Sequence, residues 1–408
     1  MKIWLKRLIK IFSALVVLLI ILICLVPTLL SVSTVQQFLL SQVNQKIPGK
    51  IQVAGLELGW TSGVDLRGLE VKDPQGRTAF SCRRILLQDS LFSLLHSPLS
   101  FGHLLIDSPK CVLIEEKDGS FSLENAFSKE SAEKKKSKKE SEKKERTDSS
   151  LVVPFVANVA VEHGEVLLSK PNLRDVHIAD LSCKISIQGT KEAHVTLTAD
   201  IIKEAKKGTL SVDAHAKEYQ SLVQFYEAKL LNPNENVTSF SSPCEMTVAA
   251  TLTRFPLDLA DSLIALSDRK LKGLIPAALG ETLDFNIFHQ LKDNKIELKL
   301  AAQSPKLFMQ LEAETDEKNL LIRKPALLRW QVDPLLLEAA QGIVPELKGL
   351  ELVKSSSIEL ALKPTTLPLP LTAISEKLPL SVSFGTQAPF FFKSKNWGKE
   401  KELSSFGV

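Results

Sequence analysis

The chain has 408 residues, 44% of them hydrophobic and 24% charged, with a formal net charge of +4. That length suits two or three ordinary domains or one elongated β architecture. The charge points to no polyanionic partner, because Lys2, Lys6, Arg7 and Lys10 supply +4 and the segment from Lys129 to Asp148 supplies +3, leaving −3 for the remainder; the clustered Lys/Arg with interleaved aromatics of a nucleic-acid footprint is missing.

Residues 1–10 form a basic segment, and Ile11 to Leu30 is a run of twenty residues without a charge. At about 1.5 Å rise per residue, a helix of that length spans the ~30 Å hydrocarbon core of a bilayer. Four basic residues precede it and the next charge is Lys46, so the positive-inside rule predicts a transmembrane anchor over 11–30, with the N-terminus cytoplasmic and the body outside. The alternative is a cleaved signal peptide, whose apolar core runs about 7–15 residues before a small-residue site; Ser31-Val32-Ser33 is a weak match to one. Cys24 follows Leu22 and Ile23 and reads as a buried apolar thiol. Cys82, Cys111, Cys183 and Cys244 have no metal-ligand spacing and leave disulfides and unpaired thiols both open.

Beyond the anchor, Val35, Phe38, Leu39 and Val43 recur at helical spacing from Thr34 to Asn44, and Pro48-Gly49 ends that helix. The period then changes to two. Ile51-Gln52-Val53, Leu56-Glu57-Leu58 and Leu69-Glu70-Val71-Lys72 predict strands with one apolar and one wet face. Asp73-Pro-Gln-Gly76 is a turn, and Asp118-Gly119 predicts a hairpin between Val112–Ile114 and Phe121–Leu123. These elements make residues 31–128 one β module. Residues 129–150, almost entirely Lys, Glu and Ser up to Asp148, cannot bury enough surface to order themselves and read as a disordered charged loop.

From 151 to 408 the alternation resumes, at 184–188, 194–198, 209–213, 245–248, 283–287, 295–300 and 357–362. So many one-faced strands predict one long curved antiparallel sheet whose apolar faces line an inside. Helical inserts are expected at about 217–231 and 256–279.

Motifs for catalysis are missing: no G-x-S-x-G, H-E-x-x-H, G-x-x-x-x-G-K-[ST] or G-x-G-x-x-G occurs. The seven histidines are scattered. His163-Gly-Glu165 reads as strand-end chemistry, and His194 and His215 fall in the polar phase of their strands. The expectation is a protein that is not an enzyme, with no metal and no cofactor.

Several elements occur together in residues 1 to 127: the cationic start and single anchor, Leu-Ser-Gln-Val-Asn-Gln-Lys-Ile-Pro-Gly-Lys-Ile-Gln-Val at 40–53, Leu56-Glu-Leu-Gly-Trp60, and Lys72-Asp-Pro-Gln-Gly-Arg77. Asp89-Ser-Leu-Phe-Ser-Leu-Leu95 and Gly102-His-Leu-Leu-Ile-Asp-Ser-Pro109 lead on to Asp118-Gly-Ser-Phe-Ser-Leu123. In order and spacing this region resembles the N-terminal module of the AsmA/TamB-like envelope proteins, which are distantly similar to chorein-type bridge lipid-transfer proteins. Residues 256–287 resemble the helix-then-strand inserts of the same group. The resemblance implies a mainly β fold with accessory helices, in which one transmembrane helix is followed by an elongated antiparallel sheet forming a taco-like groove. It also implies a bacterial inner-membrane protein with its body in the periplasm, membrane phospholipids and envelope proteins as partners, and a role in phospholipid transfer or envelope homeostasis. Relatives carry a distinct C-terminal module, so an ending at Val408 reads as that of a truncated or split product.

A groove of that kind shelters acyl chains at ~0.8 kcal/mol for each methylene removed from water. The candidate lining residues are Ile51, Val53, Leu56, Leu58, Leu69, Val71, Ile106, Ile185, Ile187, Val195, Leu197, Leu210, Val212, Ile296, Leu298 and Leu300. A closed core built from the same residues is the competing arrangement. The competing functions are a non-enzymatic scaffold or assembly factor for outer-membrane proteins, working by strand addition, and an exported hydrolase.

Overall fold

The structure is a computed structural model that describes residues 27–96, 100–116, 120–128, 156–170, 173–189, 191–204, 206–219, 244–267, 271, 273–293, 295–315, 319–344, 347–368, 382–386, 390–394 and 401–403. The expected anchor over 11–30 falls outside these except for a helical turn at 27–30, and the charged loop at 129–150 falls outside them entirely. Among the described residues no helix is long and apolar enough to cross a membrane. The chain divides into two units, Met1–Pro171 and Asn172–Val408.

The first unit opens with helix α1 (Ser33–Lys46), ended as expected before Pro48-Gly49. Strands β1 (Lys50–Gln52) and β2 (Gly55–Gly59) are successive halves of one edge, and both pair with β3 (Gly63–Lys72), Ile51 opposite Val71 and Leu56 opposite Leu66. The Asp73 turn joins β3 to β4 (Thr78–Leu87); the Asp73 carboxylate accepts the N–H groups of Gln75 and Arg77 and holds the turn closed. After α2 (Leu91–His96), β5 (Ser100–Ile114) pairs antiparallel with β4.

The next strand, β6 (Val156–Lys170), runs parallel to β5, with Ile106 opposite Val161 and Val112 opposite Leu167. The sheet is therefore mixed, not purely antiparallel as expected. A parallel neighbour requires a long crossover, and the segment between Ile114 and Val156 supplies it. That segment includes α3 (Ser122–Phe127), where the sequence reading placed the second strand of a hairpin. Among the described residues a single bridge between Glu115 and Phe121 is what survives of that hairpin, because the Ser122 hydroxyl donates to the Val112 carbonyl and accepts the Ile114 N–H while the chain turns into the helix.

The second unit is an antiparallel meander. Strands β7 (Leu173–Gln188), β8 (Glu192–Lys203), β9 (Lys206–Lys217) and β10 (Glu245–Pro256) pair in order. Helices α4 (Leu257–Ser267) and α5 (Leu274–Leu279) intervene before β11 (Thr282–Lys292), β12 (Lys295–Gln303) and β13 (Leu307–Thr315) continue the order. Strands β14 (Asn319–Ile322) and β15 (Ala326–Val332) form one line broken at Pro325, which has no N–H for the ladder. Helix α6 (Pro334–Gln341) and the short β16 (Leu350–Leu352) precede β17 (Ser356–Leu362) and β18 (Thr365–Pro368), which pair with β15 and β14. Strand β19 (Val382–Thr386) follows β17. A separate three-stranded sheet joins β16, β20 (Phe390–Ser394) and β21 (Lys401–Leu403).

The insert expected at 256–279 is two helices with Gly273 between them, and Pro256 ends β10 instead of starting a helix. Lys217, expected to open the other insert, closes β9; residues 220–231 lie outside the described ones.

Candidate functional site

Residues directly opposite each other in a ladder share a face, so the registers trace surfaces across the second unit. One rung runs Cys183, Leu197, Val212, Ala250, Ile287, Leu300, Leu311. A second joins Ala199, Leu210, Leu252, Phe285, Ala302, Met309, Leu328, Leu360 and Phe384. A third links Ile185, Val195, Ala214, Val248, His289, Leu298 and Ala313. All nine candidates of this unit fall on this one apolar face: Ile187 lies opposite Ala193 and Ile296 opposite Leu291 on neighbouring rungs. The face extends beyond what the alternation singled out, through Trp330 and Ile358.

In the first unit Ile51, Leu56, Leu58, Leu69, Val71 and Ile106 meet apolar or cysteine partners on neighbouring strands, and Val53 follows directly on β1. They do not keep one phase. Gly68, Ser108 and His163 adopt left-handed backbone at φ 61, 51 and 54, and they sit at matching heights on β3, β5 and β6. At Gly68 a Cβ would approach the Ala54 Cβ to 2.7 Å, so both space and conformation call for glycine.

This line, which includes Arg83 on β4, and the adjoining row of Arg67, Arg84 and Asp107 both face the polar side. Asp107 accepts from Arg83 Nε at 2.6 Å and from the Ser108 hydroxyl at 3.0 Å, and it lies 3.5 Å from His163 Nδ1. The apolar side therefore steps by three, from Leu66 to Leu69 and from Ile85 to Cys82, and remains continuous. His163 thus sits mid-strand and not at the strand end that the sequence suggested. Burial pushes the Asp107 carboxyl up, yet the hydrogen bonds from Arg83 and Ser108 outweigh it and hold the group below its ordinary range.

The state of the apolar face separates a trough from a closed core. Of the sixteen candidates only Val71 is buried, at 5% exposure, while fourteen are half-buried and Ile296 is exposed at 37%. Side chains sealed between two layers would be buried nearly completely. One end of the second unit's face is covered by its helices. The Trp330 indole N–H donates to the Ala278 carbonyl at 2.8 Å, and the Lys306 ammonium donates to Ala277 O at 2.7 Å and pairs with Asp333. The Lys203 ammonium, with its side chain 5% exposed, donates to Asp258 O and Ser262 Oγ of α4.

The opposite faces are polar. Two open clefts of about 230 and 560 Å³ lie on them, the first beside Thr251, Phe288 and Gln310, the second beside Arg83, Ser108 and His163. His194 and His215 face each other across β8 and β9 at 5.6 Å between ring centres, and each lies beside a carboxylate, Asp213 and Glu192 respectively. The sequence reading placed both imidazoles on the wet side but missed their pairing, which depends on register. Among the described residues no group of three or more His, Cys, Asp or Glu side chains has the geometry to hold a metal ion. Cys82, Cys111, Cys183 and Cys244 are not joined in disulfides, and burial raises the pKa of each.

Comparison with known proteins finds no matching family model, curated protein or solved structure.

Proposed function

We propose that this protein is an inner-membrane-anchored, periplasmic, AsmA-like protein that shelters lipid acyl chains along its apolar sheet faces and so contributes to phospholipid transfer or envelope homeostasis. The observation that carries the reading is that fifteen of the sixteen lining residues are left unburied on faces that stay apolar from strand to strand. An acyl chain laid on such a face gains ~0.8 kcal/mol for each methylene it buries. Its headgroup stays in water, so the task calls for no catalytic group, metal or cofactor. The uncharged run from Ile11 to Leu30, preceded by four basic residues, supports the membrane attachment and its orientation.

Extraction of the full chain in mild detergent, followed by mass spectrometry of co-purified lipid, tests the reading. Phospholipid should accompany the wild-type protein and be depleted from Val53→Asp and Leu298→Asp. A protein recovered free of lipid but bound to outer-membrane polypeptides would favour the scaffold instead, and turnover of an ester or glycoside would favour the hydrolase.

A further inference from the structure

Helix α1 has three distinct sides. The first is tied to the sheet: Asn44 donates from Nδ2 to the Ile51 carbonyl at 2.9 Å and accepts the Ile51 N–H at 2.7 Å, and Gln36 donates to the Leu56 carbonyl at 2.6 Å. Just before the helix, Ser31 accepts the Leu58 N–H. These bonds fill the open backbone edge of β1 and β2 and fix how the helix is rotated against the sheet.

Its remaining surface is mostly exposed and falls into two arcs. One carries Thr34, Gln37, Ser41 and Gln45; the other carries Leu39 and Val43 beside the half-buried Val35, at i, i+4, i+8, with Gln42 between them and the flanking Phe38. Phe38 is 61% exposed, Leu39 44% and Val43 42%, and the residues leading in, Leu29 and Val32, are 49% and 44% exposed. Single exposed apolar residues are ordinary on any protein, whereas an arc of them opposite a polar arc is not.

We propose that α1 lies flat in the membrane interface, with Val35, Phe38, Leu39 and Val43 sunk among the lipid acyl chains and Lys46 reaching back to the headgroups. The occupant is the bilayer because the twenty-residue apolar run read as the anchor ends at Leu30, three residues before the helix begins. A helix starting there reaches the interface without any linker, and an interfacial helix is an apolar arc against a polar one. Lys46 in its last turn has the long stem that lets a cation meet phosphate while its methylenes stay in lipid. Ile51, Leu56 and Leu58, the first rows of the apolar face, then begin one helix diameter, ~10 Å, from the lipid. A lipid tail can pass from bilayer to sheet over that distance without crossing bulk water.

The inference rests on the anchor reading, and the test separates the two. The full chain, with its five cysteines replaced, is reconstituted in phospholipid nanodiscs and spin-labelled singly at Leu19, Leu39, Val43 or Ser41. Collision rates with oxygen, which concentrates in lipid, and with a water-soluble nickel chelate are then compared. Labels at Leu39→Cys and Val43→Cys should favour oxygen several-fold over the label at Ser41→Cys. If Leu19→Cys reports lipid while Leu39→Cys and Val43→Cys match Ser41→Cys, the interfacial helix is overturned and the anchor stands. If Leu19→Cys also reports water, both fall. Labels at Leu39→Cys and Val43→Cys shielded from both colliders would mean that a protein surface covers the arc, which overturns the bilayer as its occupant.

Discussion

Replacing Leu298 with aspartate should strip lipid from the second unit without unfolding it. Leu298 lies between His289 and Ala313 on the apolar face and is half-buried. Strands are ~4.8 Å apart, so one such side chain borders about three methylenes of a lipid lying across the sheet. With roughly half of each methylene sheltered, losing that contact costs about 1.2 kcal/mol at 0.8 kcal/mol per methylene. Partial desolvation of the new carboxylate adds about 1–2 kcal/mol. The sum, about 2–3 kcal/mol, is a roughly 30- to 150-fold weaker association. Ala301→Asp is the matched control, since Ala301 is exposed on the other side of the same strand. Titration of a fluorescent phospholipid into both variants, with circular dichroism to establish the fold, measures the difference. Wild-type affinity in Leu298→Asp, or a loss no larger than in Ala301→Asp, refutes the assignment of the binding face.

Asn44→Ala removes both hydrogen bonds to Ile51 and should cost about 1–2 kcal/mol; it also bares an edge strand, so light scattering should show association on warming. Gly68→Ala forces a side chain into left-handed backbone against Ala54 and should lower stability by about 1–3 kcal/mol in a denaturant titration. Lys203→Met removes the buried donor to α4 and leaves the Asp258 carboxylate without its cation, costing about 2–4 kcal/mol; hydrogen exchange should rise first in Leu257–Ser267. Asp65 is held below the ordinary carboxylate range chiefly by the hydrogen bond from Arg84, against burial and with help from Arg67. Its contribution is complete above the ordinary aspartate value and is lost as the pH falls through the lowered one. Asp65→Asn should therefore be less stable at neutral pH and show a shallower acid limb in pH-dependent melts.

Strands were legible wherever period-two alternation continued for four residues or more, as at Lys184–Gln188 or Lys295–Leu300, because each such run has one apolar side whatever its neighbours are. Which strand pairs with which is not written in that period. The parallel pairing of β5 and β6 was missed for this reason, since Leu104-Leu-Ile106 and Val159-Ala-Val161 suit either direction. The short α3 was misread because Phe121-Ser-Leu123 alternates, while the contacts that make it helical come from the distant Val112 and Ile114. The lining residues were legible as apolar positions. The step from Leu66 to Leu69 looked like a lapse in the pattern, and only the ladders reveal that the neighbouring strands take the same step. The roles of Gln36 and Asn44 went unseen, although two amides on one side of a helix, with Leu40 between them, are a usable sign that the helix covers a backbone edge.

The left-handed line through Gly68, Ser108 and His163 bears on how this part of the chain tolerates length changes. Deleting one residue at Ser108 would turn Leu104 and Ile106 to the wet side while their partners on β4 and β6 stayed where they are. Losses or gains of a single amino acid at this height are therefore viable only when adjoining strands change in step, whereas the crossover between β5 and β6 is free to vary in length.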